Sequence, residues 1–178
     1  MEYEKDYFTH TAYSPYMDFG LNADRVRKII ELTNPKSVLE AGCAYGYMVR
    51  RFIDAGIPAM GIDISGWAEE QAKTIIPGCF IKHDIRKPLP FKDKEFDLLY
   101  CDGVLEHIEE EFIPSIMMEF ERVADRRLFG ITFLDGAPGH LCRKGKDWWL
   151  EKLPPNSWLY VGKHSMDVED KWGFKGLT

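Results

Sequence analysis

The residues of this 178-residue chain most able to do chemistry are carboxylates that close short apolar runs. Glu40 ends the run "SVLE", and Gly42 and Gly46 then flank a tight Cys43-Ala44-Tyr45 turn before a helical pattern begins. Glycines in such a turn permit unusual backbone angles and let a ligand approach the main chain. The helix that follows offers N–H groups with no partner of their own. A phosphate loop is the first expectation to test, and the residues exclude it. The dinucleotide pattern G-x-G-x-x-G needs glycines where Ala44 and Tyr47 stand, and no Gly-Lys-Ser/Thr follows to make a P-loop. Glu40 suits a cationic ligand better than a pyrophosphate.

Further acids follow the later apolar runs. Asp63 closes the next run, with Ile64 after it, at about the distance where an acid binds both ribose hydroxyls. Asp84 closes the third run and is followed by Ile85, a pairing that suits an adenine edge, carboxylate to the amine and apolar side chain to the ring. Cys101-Asp102-Gly103 closes the fourth. Ribose, adenine, a positive centre and no phosphate together describe S-adenosylmethionine.

The elements that must position these residues alternate. "NADRVRKIIEL", "YMVRRFIDAG", "WAEEQAKTI" and "FIPSIMMEFERVA" carry apolar residues at helical spacing. "SVLEA", "AMGIDIS", "CFIKHD", "FDLLYC" and "RLFGITFL" read as strands. Such alternation predicts an α/β fold, a Rossmann-like, mostly parallel sheet with helices on both faces. Ligands then bind beyond the C-terminal ends of the strands. Asp97, at a strand start, is therefore read as structural, and the Glu109–Glu111 run as a solvated helix start.

Glu40-x-Gly42-Cys43-x-x-Gly46, "GIDIS" at 61–65, "HDI" at 83–85 and "FDLLYCDGVLEHI" at 96–108 resemble the successive motifs of class I S-adenosylmethionine-dependent methyltransferases. The resemblance covers roughly residues 20 to 135, in the family's order and spacing. It implies that Glu40 and the Gly42–Gly46 turn, Cys43 and Ala44 included, hold the methionine part. It also implies that Asp63 and Ile64 hold the ribose, Asp84 and Ile85 the adenine, and that Cys101 and Asp102 line the floor. The chain departs from the family at Ala44, where a further glycine is usual. Cys43 and Cys101 are read as small contacts to the cofactor, not as nucleophiles.

The acceptor side is expected from the ends of the chain. Tyr3, Tyr7, Phe8, His10, Tyr13, Tyr16 and Phe19 crowd the first twenty residues and predict an aromatic lid, with Tyr7 and Tyr16 reaching substrate. After the fifth strand, similar methyltransferases acting on glycans and small metabolites carry a histidine and then a Trp-Trp pair. That likeness makes His140 the expected general base, with Asp135 to orient it. Trp148 and Trp149 would line the pocket, one of them core. His107 either faces substrate or caps the following helix, and Trp67 either shields adenine or covers the sheet. The expected reaction is methyl transfer by direct in-line displacement, leaving S-adenosylhomocysteine, to an oxygen or nitrogen of a small molecule or sugar. A silent S-adenosylmethionine-binding domain and a nicotinamide-dependent oxidoreductase are the alternatives; Glu40, Ala44 and Tyr47 speak against the second.

Composition sets the frame. A hydrophobic fraction of 45% with 29% charged residues describes one globular domain: lid 1–20, cofactor-binding core 21–135, acceptor side 136–178. A net charge of −6 argues against nucleic acid as a partner, and no apolar run approaches a membrane span. Four dispersed cysteines without a C-x-x-C pair suit a reducing cytoplasm, and no metal set stands out. The resemblance implies two antiparallel strands at the end of the chain, and "SWLYVGK" supplies one of them, a shortened antiparallel C-terminal edge whose second strand the sequence leaves open. The short remainder leaves three expectations: an open pocket, a truncated chain, or a homodimer that completes it.

Overall fold

The computed structural model describes residues 3–10, 16–18, 21–133, 139–160 and 172–175. They fall into two compact units, residues 1–85 and 86–178.

The first unit holds α1 (Lys5–His10), α2 (Leu21–Thr33), β1 (Val38–Ala41), α3 (Tyr47–Asp54), β2 (Ala59–Asp63), α4 (Gly66–Ile75) and β3 (Phe80–Lys82). Its strands are parallel in the order β3-β2-β1, with Glu40 beside Gly61 and Asp63 beside Lys82. All four β1 residues are buried, as the near-continuous apolar run of an inner parallel strand demands. Val26, Ile29 and Thr33 make the buried face of α2, which stops where Asn34 turns left-handed ahead of Pro35. Ser65 caps α4 by accepting the Ala68 N–H at 3.0 Å.

The third strand ends before its expected place. Asp84 was expected to end β3, but the strand stops at Lys82. The His83 N–H still donates to the Asp63 carbonyl at 2.8 Å. Beyond that bond the neighbouring chain leaves β2 for the Ser65 cap.

The second unit holds β4 (Phe96–Asp102), two single 3-10 turns (Leu105–His107 and Glu110–Phe112), α5 (Ile113–Val123), β5 (Ala124–Gly130), α6 (Lys146–Lys152), β6 (Ser157–Tyr160) and β7 (Trp172–Lys175). The order is β4-β5-β6-β7. β4, β5 and β6 run parallel, and β7 is antiparallel to β6. "SWLYVGK" supplies β6, which runs parallel to β5 where an antiparallel closing strand was expected, and the second closing strand that the sequence left open is β7, antiparallel to β6. α5 buries Ile113, Ile116, Met117, Phe120 and Val123, with Pro114 in the first turn, where its missing N–H forfeits no helical bond. Asp97 pairs with Arg126 at 2.6 Å, across the starts of β4 and β5. Arg127 is fully buried and donates to Ser157, to the Ala124 carbonyl at 2.8 Å and to Pro155, which ties the approach of β6 to β5.

Candidate functional site

The loop after β1 is built around two buried acids of the first unit. Glu40 accepts the Val49 N–H at 3.1 Å, so its carboxylate caps the first turn of α3 from the strand. Gly46, the residue preceding that helix, has no side chain to do this. Asp63 accepts the Ala44 N–H at 2.8 Å on one oxygen and the Ser65 N–H at 2.9 Å on the other. Burial pushes its pKa up, and those backbone N–H groups pull it back.

Ala44 is where this chain departs from the family pattern, and it has a φ of +48°. The left-handed region costs an L-residue with a β-carbon about 1 kcal/mol, a cost that glycine avoids. Ala44→Gly is therefore expected to raise stability by up to about 1 kcal/mol, since relief of strain outweighs added chain entropy. Denaturant unfolding checks it, and a loss of stability would mean that Ala44 is not strained.

Glycine is required at 46 for a reason that the sequence did not disclose. Its φ is +84°, and a β-carbon there would lie 2.3 Å from Ile76 Cδ1, so the close approach is to the end of α4. Cys43 fills space in the same way. A β-carbon on Gly61 would lie 2.5 Å from its sulfur. Burial pushes the Cys43 thiol well above its usual pKa, which suits a packing contact and not a nucleophile.

The N-terminal rings pack onto this loop. Phe8 and Tyr16 lie 4.9 Å from the Tyr45 ring, and Tyr16 stacks on Tyr47 at 6.0 Å. Tyr7 packs edge-on against Phe8 at 5.2 Å. Burial pushes the Tyr16 hydroxyl well above its ordinary pKa, and the charges of Glu40, Cys43 and Asp63 raise it further. The charges of both loop acids thus reach one hydroxyl. Glu4, which sequence reasoning missed, fastens the segment by accepting the Gly66 and Trp67 N–H groups at 3.1 and 3.0 Å. Asp18 pairs with Arg51 of α3. Trp67 donates to the Tyr45 hydroxyl at 2.8 Å. Beside Asp63, Ile64 is 41% exposed, a large apolar side chain left open next to a buried acid. Ile85 is buried and Asp84 partly so. Tyr13, Phe19 and the side chain of His10 lie outside the described residues.

In the second unit, Cys101 is buried and Asp102 accepts the Tyr100 hydroxyl at 2.8 Å. Gly130 makes room for that carboxylate: a β-carbon there would lie 2.0 Å from Asp102 Oδ1. Gly130→Ala is expected to displace Asp102 and cost about 1–3 kcal/mol by overpacking. Unfolding of the variant at its midpoint measures this, and a neutral result would remove the steric role.

His107 and His140 are both buried and meet edge to face, with ring centroids 4.8 Å apart. His107 Nδ1 lies 3.0 Å from the Gly139 carbonyl oxygen. A carbonyl only accepts, so the neutral ring carries its proton on Nδ1 and its lone pair on Nε2. Glu106, beside it and also missed, is 1% exposed. It accepts the Thr132 N–H at 3.0 Å, and burial pushes its pKa up to about 7. Trp149 is wholly buried, so it is the core member of the pair, while Trp148 is half-buried with Lys144 and Lys152 over its ring at 5.3 and 5.5 Å. Asp135 lies outside the described residues.

Among the described residues no helix is long and apolar enough to cross a membrane, and no group of three or more acidic, histidine or cysteine side chains is placed to hold a metal. Residues 38–126 match the family described as methyltransferase domain. A tRNA U34 carboxymethyltransferase of Nautilia profundicola is 33% identical, over 57% of this chain and 34% of its own length. The chain thus spans about a third of that curated relative. A candidate methyltransferase of Bacillus halodurans superimposes with a TM-score of 0.59 at 18% identity, over 75% of this chain and 67% of the other. The N-terminal domain of EvdMO1, solved with S-adenosylhomocysteine bound, gives 0.54 at 20% identity, over 68% and 57%. The likeness to these two solved structures shows the Rossmann-like α/β fold. With half of its length matching the methyltransferase-domain family, this chain belongs to the class I S-adenosylmethionine-dependent methyltransferases.

Proposed function

We propose that the chain transfers a methyl group from S-adenosylmethionine to an oxygen or nitrogen of a small-molecule or sugar acceptor. One observation supports this above the others: two buried acids, Glu40 and Asp63, hold the loop whose turn has positive φ at Gly42, Ala44 and Gly46. Each acid already takes backbone N–H groups, and a carboxylate oxygen has a second lone pair to offer. Asp63 is therefore suited to ribose hydroxyls, Ile64 and Ile85 to an apolar ring, and Glu40 to a positive centre, with Cys43 and Ala44 lining the turn. Asp84, Cys101 and Asp102 are assigned to the cofactor on the family likeness. S-adenosylmethionine, when bound, supplies an electrophilic methyl group.

The chain's own work is to hold the acceptor, exclude water and take a proton where the acceptor keeps one. His107 Nε2 is suited to accept that proton, because the Gly139 carbonyl holds Nδ1 in its protonated form. His140 packs on it, and Tyr7, Tyr16 and Trp148 are assigned to the acceptor. Calorimetry with S-adenosylmethionine, S-adenosylhomocysteine and NAD tests the reading. Binding of NAD alone would overturn it. Transfer of labelled methyl to acceptor pools, lost in His107→Ala, separates an enzyme from a silent binding domain.

A second reading, a tRNA acceptor, draws on the lysines over Trp148 and on the name of the curated relative. Labelling of bulk tRNA but not of small-molecule pools would favour it.

A further inference from the structure

We propose that Glu4 is a positioning residue for Asp63: it fastens α1 across the loops that follow β1 and β2 and so fixes the turn from which that acid meets ribose hydroxyls. The fastening closes a ring of contacts within the first unit. Asp63 is one side of the ring, taking the Ala44 N–H of the first loop at 2.8 Å and the Ser65 N–H of the second at 2.9 Å. α1 is the other side. Its Phe8 is buried and packs on the Tyr45 ring at 4.9 Å, next to Ala44. Glu4, the residue before the helix, accepts the Gly66 and Trp67 N–H groups at 3.1 and 3.0 Å, next to Ser65. The Trp67 ring N–H joins the two loops directly by donating to the Tyr45 hydroxyl at 2.8 Å, and Lys5 lies over the Trp67 ring at 5.3 Å.

What α4 cannot do for itself shows why Glu4 matters. The first N–H groups of a helix have no partner within it. Ser65, as the cap, takes only that of Ala68 at 3.0 Å, and Asp63 takes that of Ser65. The Gly66 and Trp67 groups between them are taken by a carboxylate 62 and 63 residues away. Negative charge at a helix N-terminus is also favoured by the helix dipole. Without Glu4 those two groups turn to water, and the turn that carries the Ser65 N–H is free to shift away from Asp63. The approach is close: a β-carbon on Gly66 would lie 3.1 Å from Lys82 Nζ and 3.6 Å from Glu4 Oε1. Lys82 is the residue beside Asp63 in the sheet, so a cation reaches the same spot. Burial is the main reason that the Asp63 pKa rises, and the charge of Glu4 adds to the rise, so each acid senses the other. The N–H groups that both accept offset this repulsion. The link to ribose rests on the S-adenosylmethionine reading, while the fastening itself does not.

Amide hydrogen exchange in the unliganded whole chain tests the fastening, since Glu4 is exposed and its replacement leaves the core intact. In Glu4→Ala, protection should fall at least about tenfold at Gly66 and Trp67, and at least about threefold at Ser65 and Ala44, the partners of Asp63. Leu39, inside β1, should stay within about twofold and so report that the fold is kept. Unchanged protection at Ser65 and Ala44 would overturn the proposal. Adenosine and 2′,3′-dideoxyadenosine separate positioning from mere support, because only the first has the hydroxyls that Asp63 is suited to take. Calorimetry should show adenosine weakened about fivefold in Glu4→Ala and the dideoxynucleoside less than about twofold. Equal losses for the two would also overturn it. Glu4→Gln, which can still accept one of the two N–H groups, should fall between wild type and Glu4→Ala in both measurements. A wild type that binds neither nucleoside would remove the cofactor reading, and exchange at Ser65 and Ala44 would still decide whether Glu4 holds Asp63.

Discussion

Glu40→Gln is expected to weaken S-adenosylmethionine binding by roughly 10–100-fold, with little change in the stability of the free protein. The substitution keeps an oxygen to accept the Val49 N–H at the start of α3, so the helix cap survives. What it removes is the negative charge. Hydrogen bonds and contacts to a charged partner in a buried setting are worth about 1.5–3 kcal/mol, and each 1.4 kcal/mol is about tenfold in affinity. S-adenosylhomocysteine lacks the positive sulfur, so its binding should weaken less than that of S-adenosylmethionine. Glu40→Ala should lose the cap as well, at about 1 kcal/mol of stability. Calorimetry with both ligands decides the matter. Equal losses for the two would mean that Glu40 acts only through the helix it caps.

Wild-type stability is expected to fall by up to about 3 kcal/mol between pH 4.5 and pH 7, through Glu106 alone. The sign follows from the raised carboxyl, whose folded pKa of about 7 stands above the ordinary glutamate value of 4.5. Between those values the folded state binds more protons than the unfolded one, so folding is favoured by acid. The contribution is complete below the unfolded pKa and is lost as pH rises through the folded one. Local relaxation that lets water reach the carboxylate would soften the loss, which makes the figure an upper bound. Glu106→Gln should abolish this slope and be more stable than the wild type at pH 8. Denaturant unfolding of both proteins at pH 5, 6, 7 and 8 measures it, and parallel stability curves would show that Glu106 is not the titrating group.

Much of the architecture could be read locally. Helix α5 shows its apolar stripe at 113, 116, 117, 120 and 123 as plainly in the sequence as in the fold. β1 and β2 fall where short apolar runs meet Glu40 and Asp63, because a buried parallel strand needs such a run over its whole length. The end of β3 could not be read, since a strand ends where its neighbour stops offering rungs, and β2 gives way to a cap at Ser65. β7 was equally hidden, because four residues with no partner in view carry too little pattern to declare a strand.

The same division runs through the candidate site. Residue type and spacing singled out Glu40, Asp63 and the turn of glycines, because those types in that order suit a cationic nucleoside ligand. Glu4 and Glu106 had no such signal. Glu4 meets partners 62 and 63 residues away, and Glu106 meets Thr132 26 residues on. Burial and hydrogen bonding between distant segments depend on which surfaces the fold brings together, and no local pattern records that. Gly46 shows both sides at once. Its place in the turn was evident from its neighbours, but the atom that a β-carbon there would displace, Ile76 Cδ1, lies thirty residues along the chain and was supplied by tertiary packing alone.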